Sequence, residues 1–237
     1  MDFDKKSLKK LSNKFNIIYK KELNQKNIKK IVSIILPMDK FYPEIFFSKF
    51  KNLRSIVTPT TGDIHLDKRY LDKKKIKIFN LFNEKKKLNK ITSTSELALG
   101  LILNITRKIT FAHDNFKKLL KFTKYDDLLS CKKFSLGIIG MGRIGTHLAH
   151  RANALGFKVS YYDPFINIKK FKKYNSLIKL AKNSNIISIN MHYKPNLKEF
   201  FDKKFFSKIK KPSYLINTSR GELINEKDLI KCLKMKI

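Results

Sequence analysis

Apolar and polar positions alternate along this 237-residue chain in several distinct patterns. Over residues 1–30, Leu8, Leu11, Phe15 and Ile18 recur at roughly helical spacing in a Lys-rich background, which predicts a helix or a mobile arm. Three short runs rich in Ile, Val or Phe follow at 31–36, 53–57 and 76–81, each the length of a buried strand. Pro37, Pro43, Pro59 and Gly62 punctuate the segments between them as turn signals, so this part reads as a small α/β unit. Residues 93–117 differ. Leu97, Leu101, Ile105 and Ile109 keep a helical period behind an opening Ser-Thr-Ser, which predicts one long capped helix and a domain boundary just before it. Beyond residue 134 the pattern becomes regular. Strand-like runs at 134–139, 158–162, 186–191 and 214–217 alternate with helix-like runs at 143–155, 174–181, 202–209 and 226–234. Such alternation with short connections implies a parallel sheet wrapped by helices. The organisation expected is residues 1–92 and residues 93–237, two α/β domains.

Composition adds an odd charge. Lys plus Arg is 53 against 19 Asp plus Glu, a formal net charge of +34. That excess suggests a partner rich in phosphate, such as a nucleic acid or an anionic surface. Only six of the 53 basic residues are Arg, however, whose fork serves phosphates and guanine edges best. The lysines also spread over the whole chain, and Trp is absent, so biased base composition in the coding DNA accounts for the charge without a nucleic-acid partner. Cys131 and Cys232 cannot build a disulfide framework. The N-terminal segment has no secretory h-region, and no apolar stretch is long enough to span a bilayer, so a cytoplasmic protein without a membrane partner is expected.

The chemistry concentrates in GIIGMGRIG, residues 137–145. Gly140, Gly142 and Gly145 have the G-x-G-x-x-G spacing, after an apolar run and before an amphipathic one, the strand-turn-helix context that a dinucleotide needs. Four of the eight glycines in the chain lie in these nine residues, in a composition that otherwise avoids glycine. Gly140 permits the tight turn, Gly142 lets backbone approach a pyrophosphate, and Gly145 lets the helix pack against the strand. The helix start offers free N–H groups and a positive dipole end to phosphates. Asp163 ends the next strand, 18 residues after Gly145. There it would accept hydrogen bonds from the adenosine ribose and repel a 2′-phosphate, favouring NAD over NADP. Capping the turn before Pro164 is the structural alternative for the same carboxylate.

The segment from Gly137 to Pro164 resembles the nucleotide-binding fingerprint of the D-isomer-specific 2-hydroxyacid dehydrogenases. SIVTPTTGDIHLD (55–67) resembles that family's substrate loop, SELALGLILNITRKI (95–109) its helix between domains, and YLINTSRGELINEKDLIKCL (214–233) the signature around its catalytic arginine. The resemblance covers about residues 30 to 237 in family order. It implies a Rossmann doubly wound parallel sheet with a second, smaller flavodoxin-like α/β substrate domain, both incomplete at the C-terminus. It implies NAD as cofactor, a small 2-hydroxy acid or 2-oxo acid as substrate, and a homodimer. Arg220 would be the catalytic-site arginine, its planar fork holding the substrate carboxylate and polarising the reacting carbonyl. Thr60, Thr61 and Gly62 would form the substrate loop. Arg143 and Ile144 in the glycine loop, Asn190 after the 186–191 run, and Thr218 and Ser219 beside Arg220 would join Gly140, Gly142, Gly145 and Asp163 around the cofactor.

The family's mechanism also uses a glutamate and a histidine C-terminal of the arginine signature. The sequence ends 17 residues after Arg220, so the resemblance implies a C-terminally truncated family member without that pair. None of the five histidines replaces it. His65 reads as a polar loop residue, and His113 lies on the long helix. His147 and His150 share a helix face without an acid or Cys partner, so no metal site is expected. His192 stands at Asn190-Met191-His192, where the family commonly has His-x-Pro. Three functions stay open at this point: an NAD-dependent oxidoreductase moving a hydride between nicotinamide and C2 of a D-2-hydroxy acid, phosphoglycerate-like or related; a catalytically dead NAD-binding remnant; and a basic nucleotide-sensing protein that binds nucleic acid.

Overall fold

The computed structural model describes residues 5–82, 84–115 and 130–235. The chain divides into two compact units, Met1–Lys90 and Ile91–Ile237. In the first, β1 (Ser33–Ile35), β2 (Ser55–Val57) and β3 (Lys77–Phe79) pair in parallel in the order β1-β2-β3. Ile34, Ile56 and Ile78 lie in register across the sheet. Ile56, Phe47 and Leu71 are essentially inaccessible to solvent and form the centre of this unit's core with Tyr42, Leu53 and Leu66. The ladders are shorter than the apolar runs that predict them because the ends of those runs do other work. Leu36, Leu53 and Ile76 flank the three-residue strands and pack in the core. The N-terminal segment forms a helix, Lys5–Ser12, with no buried residue.

The second unit is built on five parallel strands: β4 (Ser135–Ile139), β5 (Lys158–Tyr162), β6 (Lys172–Lys173), β7 (Ile186–Ile189) and β8 (Tyr214–Asn217). Their order is β6-β5-β4-β7-β8. The chain therefore starts in the middle, winds outward on one side, and returns to wind outward on the other, which is the doubly wound Rossmann arrangement. Side chains alternate across the sheet, and two cores result. Leu136 and Ile138 pack with Ala98 and Ile102 of helix Ser93–Arg107 and with Leu148, Ala149 and Ala152 of helix Arg143–Ala154. Ile139, Ile187 and Ile189 pack with Leu180, Phe201, Phe205 and Phe206. All four residues of β7 are buried, as a parallel strand covered on both faces requires. Each such Leu, Ile or Phe contributes about 1.5–3 kcal/mol of burial.

Two elements depart from the sequence pattern. The stretch predicted as one helix over 93–117 forms two, Ser93–Arg107 and Ile109–Asn115; residues 116 and 117 lie outside the described residues. Lys108 takes a left-handed conformation at φ 50°, and the Asn104 side chain accepts hydrogen bonds from the Thr110 N–H and hydroxyl, at 2.8 and 2.9 Å. Asn competes for backbone in this way, so an intact apolar period does not prevent the break. The opening Ser-Thr-Ser does not cap by side chain either: the Thr92 hydroxyl, at the cap position, donates to Glu96 instead. The second departure is β6, a two-residue strand of lysines with no hydrophobic pattern, paired with Ser160 and Tyr161 of β5. Lysines suit a sheet edge because they discourage pairing with another chain. No helix among the described residues is long and apolar enough to cross a membrane.

Candidate functional site

The carboxyl ends of β4 and β7 meet where the winding direction reverses. In open α/β sheets that crevice is the ligand site. Gly140 leaves β4 with φ 91°, and a Cβ there would lie 2.8 Å from the Met191 nitrogen and 2.9 Å from the Asn190 carbonyl group. Glycine is thus required by the crossing of the two strand ends. Gly145 is required by packing, since its Cβ would lie 2.1 Å from the Gly140 carbonyl oxygen. Gly142 is different. Its φ of −65° suits any residue, and a Cβ would meet nothing within 4 Å. The protein leaves that space open, directly before helix Arg143–Ala154, and no side chain caps this helix start. The first-turn N–H groups of a helix have no intrahelical acceptor and attract anions. Arg143 and Ile144 open the helix, and the Arg143 guanidinium donates to the Ile91 carbonyl.

Asp163 is buried at the end of β5, where its carboxylate organises the loop. Oδ2 accepts the Met141 N–H at 2.7 Å, and Oδ1 accepts the N–H groups of Phe165 and Ile166 at 2.8 and 2.9 Å. The turn-capping role that the sequence left open is therefore present, and with it a tie between β5 and the glycine loop. A carboxylate accepts about four hydrogen bonds, which leaves one position for a ligand hydroxyl.

At the ends of β7 and β8, two polar atoms are buried without a partner among the described residues: Asn190 Oδ1 and Thr218 Oγ1. The Asn190 amide nitrogen donates to the Ser188 carbonyl and hydroxyl, which fixes which end of the side chain is left over. Buried polar atoms without a partner are costly and rare in native proteins, so an amide oxygen and a hydroxyl left over just after neighbouring strands are candidates for contact with a ligand. Ser219 donates its hydroxyl to the Met191 carbonyl and its N–H to Asn217 Oδ1, which binds the β8 turn to the β7 turn. Arg220 follows in extended backbone, half-buried, with Nη1 donating to the Ser219 carbonyl at 3.0 Å and the Arg220 carbonyl accepting from the Asn217 side chain at 2.8 Å. Gly140, Gly142, Arg143, Ile144, Gly145, Asp163, Asn190, Thr218, Ser219 and Arg220 all belong to the second unit, Arg143, Ile144 and Gly145 in the first turn of helix Arg143–Ala154 and the others on loops at the carboxyl ends of β4, β5, β7 and β8. His192 is exposed beyond them.

Thr60, Thr61 and Gly62 belong to the first unit, in the loop after β2. The Thr60 hydroxyl donates to the Gly62 carbonyl at 2.6 Å and lies 2.9 Å from the Thr58 hydroxyl. Space beside Gly62 is open. His65, read from the sequence as a polar loop residue, is instead buried, with Nε2 3.3 Å from the Thr58 hydroxyl. The sequence placed His65 in this loop only as a polar residue and gave Thr58 no role. Their signal was a hydroxyl leaving a strand and a histidine flanked by Ile64 and Leu66.

Burial pushes the His65 imidazole below the ordinary histidine range, with the Asp63 and Asp39 carboxylates opposing the shift. The folded protein then refuses a proton that the unfolded chain accepts. This contribution to stability is complete above the unfolded value, about pH 6.5, and is lost as pH falls toward the lower folded value. The urea midpoint is expected to fall on acidification below about pH 6.5, and His65→Gln to flatten that slope. Identical slopes in the two proteins would contradict it.

Residues 99–237 match the family model "D-isomer specific 2-hydroxyacid dehydrogenase, NAD binding domain". A Staphylococcus epidermidis protein provisionally named a 2-hydroxyacid dehydrogenase is 31% identical over 194 residues, covering 78% of this chain and 59% of that one. A Staphylococcus saprophyticus relative of the same provisional name is 33% identical over 196 residues, with the same coverage. Among solved structures, a D-lactate dehydrogenase from Aquifex aeolicus complexed with NAD and lactic acid superposes with a TM-score of 0.77 at 27% identity, covering 92% of this chain and 65% of that chain. The chain thus spans somewhat under two thirds of the length of these proteins.

Proposed function

The chain belongs to the D-isomer-specific 2-hydroxyacid dehydrogenases, and from that premise we propose that it serves NAD-dependent hydride transfer at C2 of a small D-2-hydroxy acid. The observation that carries the proposal is the open space at Gly142. No neighbour among the described residues demands glycine there, while a helix start without a side-chain cap directly follows it. A pyrophosphate fits that description, because backbone N–H groups and the helix dipole both favour an anion. Asn190 Oδ1 and Thr218 Oγ1, buried and unpaired among the described residues, fit the hydrogen-bond donors of the nicotinamide half. When bound, NAD supplies the hydride acceptor or donor at nicotinamide C4.

The chain's own residues would do the rest. Gly142, Arg143, Ile144 and Gly145 hold the phosphates. Asp163 offers its remaining acceptor position to the adenosine ribose, and its charge disfavours a 2′-phosphate. Arg220 binds the carboxylate of the substrate through a planar fork and polarises the reacting carbonyl. Thr60, Thr61 and Gly62 serve as the substrate loop of the first unit, and the second unit takes the cofactor. A lactate-like or related hydroxy acid is the substrate class. A homodimer is part of the reading, supported by the exposed apolar side chains of Leu97, Leu101, Ile109 and Phe111 along the two helices that open the second unit.

The test is a fluorescence titration of the purified chain with NADH, repeated with NADPH and then, at saturating NADH, with oxamate, a 2-oxo acid mimic. NADPH is expected to bind about tenfold or more weaker than NADH, as one repelled phosphate beside a carboxylate implies. Oxamate is expected to perturb the bound NADH. Absence of NADH binding by the folded chain would end the dehydrogenase reading, and equal affinity for NADPH would end the role given to Asp163.

A further inference from the structure

The loop after β2 holds a hydrogen-bond chain whose direction follows from atom counting. The Gly62 carbonyl can only accept, so the Thr60 hydroxyl, 2.6 Å away, spends its single proton there. The contact between Thr60 and Thr58, 2.9 Å, must then use the Thr58 proton. With that proton spent, the 3.3 Å contact between Thr58 and His65 must use a proton on Nε2. The sequence of donors is therefore His65 Nε2–H to Thr58, Thr58 to Thr60, and Thr60 to the Gly62 carbonyl. Nδ1 is left with a bare lone pair, buried and without a partner among the described residues. A second proton on Nδ1 would be a buried, unpaired donor, so the neutral Nε2–H tautomer is the form this site holds.

The chain ends on the Gly62 carbonyl and closes the turn over residues 60–62. A Cβ at Gly62 would meet nothing within 4 Å among the described residues, so no close contact there competes with the hydroxyl chain. Among the described residues, the N–H groups of Thr61 and Gly62 make no hydrogen bond. The Thr60 carbonyl is held by the Leu81 N–H and the Thr58 N–H by the Phe79 carbonyl, so the loop's base is anchored to the end of β3 and its tip to the hydroxyl chain. Groups facing His65 from neighbouring elements are consistent with a neutral imidazole. The Tyr42 ring packs edge-on to it at 6.3 Å, and the Tyr42 hydroxyl is spent on Asp39 at 2.7 Å. Asp63 pairs with Lys68 at 3.1 Å.

We propose that His65 is a positioning residue: through Thr58 and Thr60 it holds the Gly62 carbonyl and so closes the turn over residues 60–62, which sets the N–H groups of Thr61 and Gly62 within that turn toward the carboxylate of a 2-oxo or 2-hydroxy acid. This rests on the substrate-loop reading given above, and the test separates the two. Long-range nitrogen NMR of the ligand-free 237-residue chain reads the His65 tautomer directly. Amide NMR of Thr61 and Gly62 during oxamate titration reads carboxylate binding, in wild type, Thr58→Val and Thr58→Ser, with NADH affinity measured alongside as the check on folding.

The expected result is an Nε2–H imidazole, oxamate binding weakened about tenfold in Thr58→Val, as misplacement of one N–H donor at the carboxylate implies, recovery in Thr58→Ser, and unchanged NADH affinity throughout. An Nδ1–H tautomer overturns the chain whatever oxamate does. Wild-type oxamate affinity in Thr58→Val overturns the positioning role and leaves the substrate loop standing. Oxamate failing to shift Thr61 or Gly62 in the wild type removes the substrate-loop reading and the proposal together.

Discussion

Replacing Gly142 with aspartate is expected to abolish NADH binding while leaving the melting temperature unchanged or slightly raised. The two effects run in opposite directions for one reason. Gly142 is the N-cap of helix Arg143–Ala154, at φ −65° and ψ −166°, with no side-chain cap. Aspartate adopts that backbone without strain and is among the best N-cap residues, typically better than glycine by about a few tenths of a kcal/mol. Its Cβ enters empty space. The carboxylate would then take up the same N–H groups that hold a pyrophosphate, and place a negative charge a few ångströms from it. Two like charges about 4 Å apart at a protein surface repel by about 4 kcal/mol, so a loss of NADH affinity of about 100-fold or more is expected. Gly140 and Gly145 cannot serve as this test, because backbone atoms lie within 3 Å of any added Cβ and the fold itself would move. Fluorescence titration and thermal unfolding of the same preparation check the prediction. A stable Gly142→Asp protein that binds NADH like the wild type would show that no phosphate lies at this helix start.

That residue also shows what makes a site legible in a sequence. The glycine loop could be read because each requirement is local: a strand end, a turn and a helix start within nine residues of a glycine-poor chain. The ends of β5 and β8 were equally plain, since apolar runs and a following Asp or Arg mark them. What escaped the sequence depends on partners far along the chain. β6 is a strand because Ser160 and Tyr161 pair with it, and two lysines carry no period of their own. The break at Lys108 follows from the Asn104 side chain bonding six residues ahead, while the apolar spacing runs on undisturbed. The helix Glu44–Phe47 is too short to persist by propensity and is held by burial of Phe47. His65 looked polar because its type is polar. Its burial comes from Tyr42, whose strand-like bridge to Leu66 only the fold creates. Asp163 was found by its spacing from Gly145, yet its bond to the Met141 N–H shows that the carboxylate shapes the loop as well as facing a ligand.

Asp163→Ala tests that double role and is expected to have the largest effect on stability of any single change at the site. The substitution strands the N–H groups of Met141, Phe165 and Ile166, all now satisfied by one buried carboxylate. Each buried, unsatisfied donor costs about 1–3 kcal/mol, and partial access of water to the turn brings the sum to roughly 3 kcal/mol. Loss of the Met141 contact also frees the glycine loop from β5. NADH affinity is therefore expected to fall about 100-fold, more than the one or two ribose hydrogen bonds alone would account for. NADPH should not gain what NADH loses, because the phosphate cradle loosens for both. Asp163→Asn separates the two roles. It keeps an acceptor for the turn but can set an amide donor against the Met141 N–H, so its melting temperature should lie between wild type and Asp163→Ala, while its NADH affinity stays close to that of Asp163→Ala. Melting curves and NADH and NADPH titrations, made at a temperature where all three proteins are folded, give the comparison. If Asp163→Ala melts like the wild type, the three hydrogen bonds do not hold the loop. If it is destabilised yet binds NADH normally, Asp163 is a structural cap alone, and the preference for NAD must come from elsewhere in the turn that follows β5.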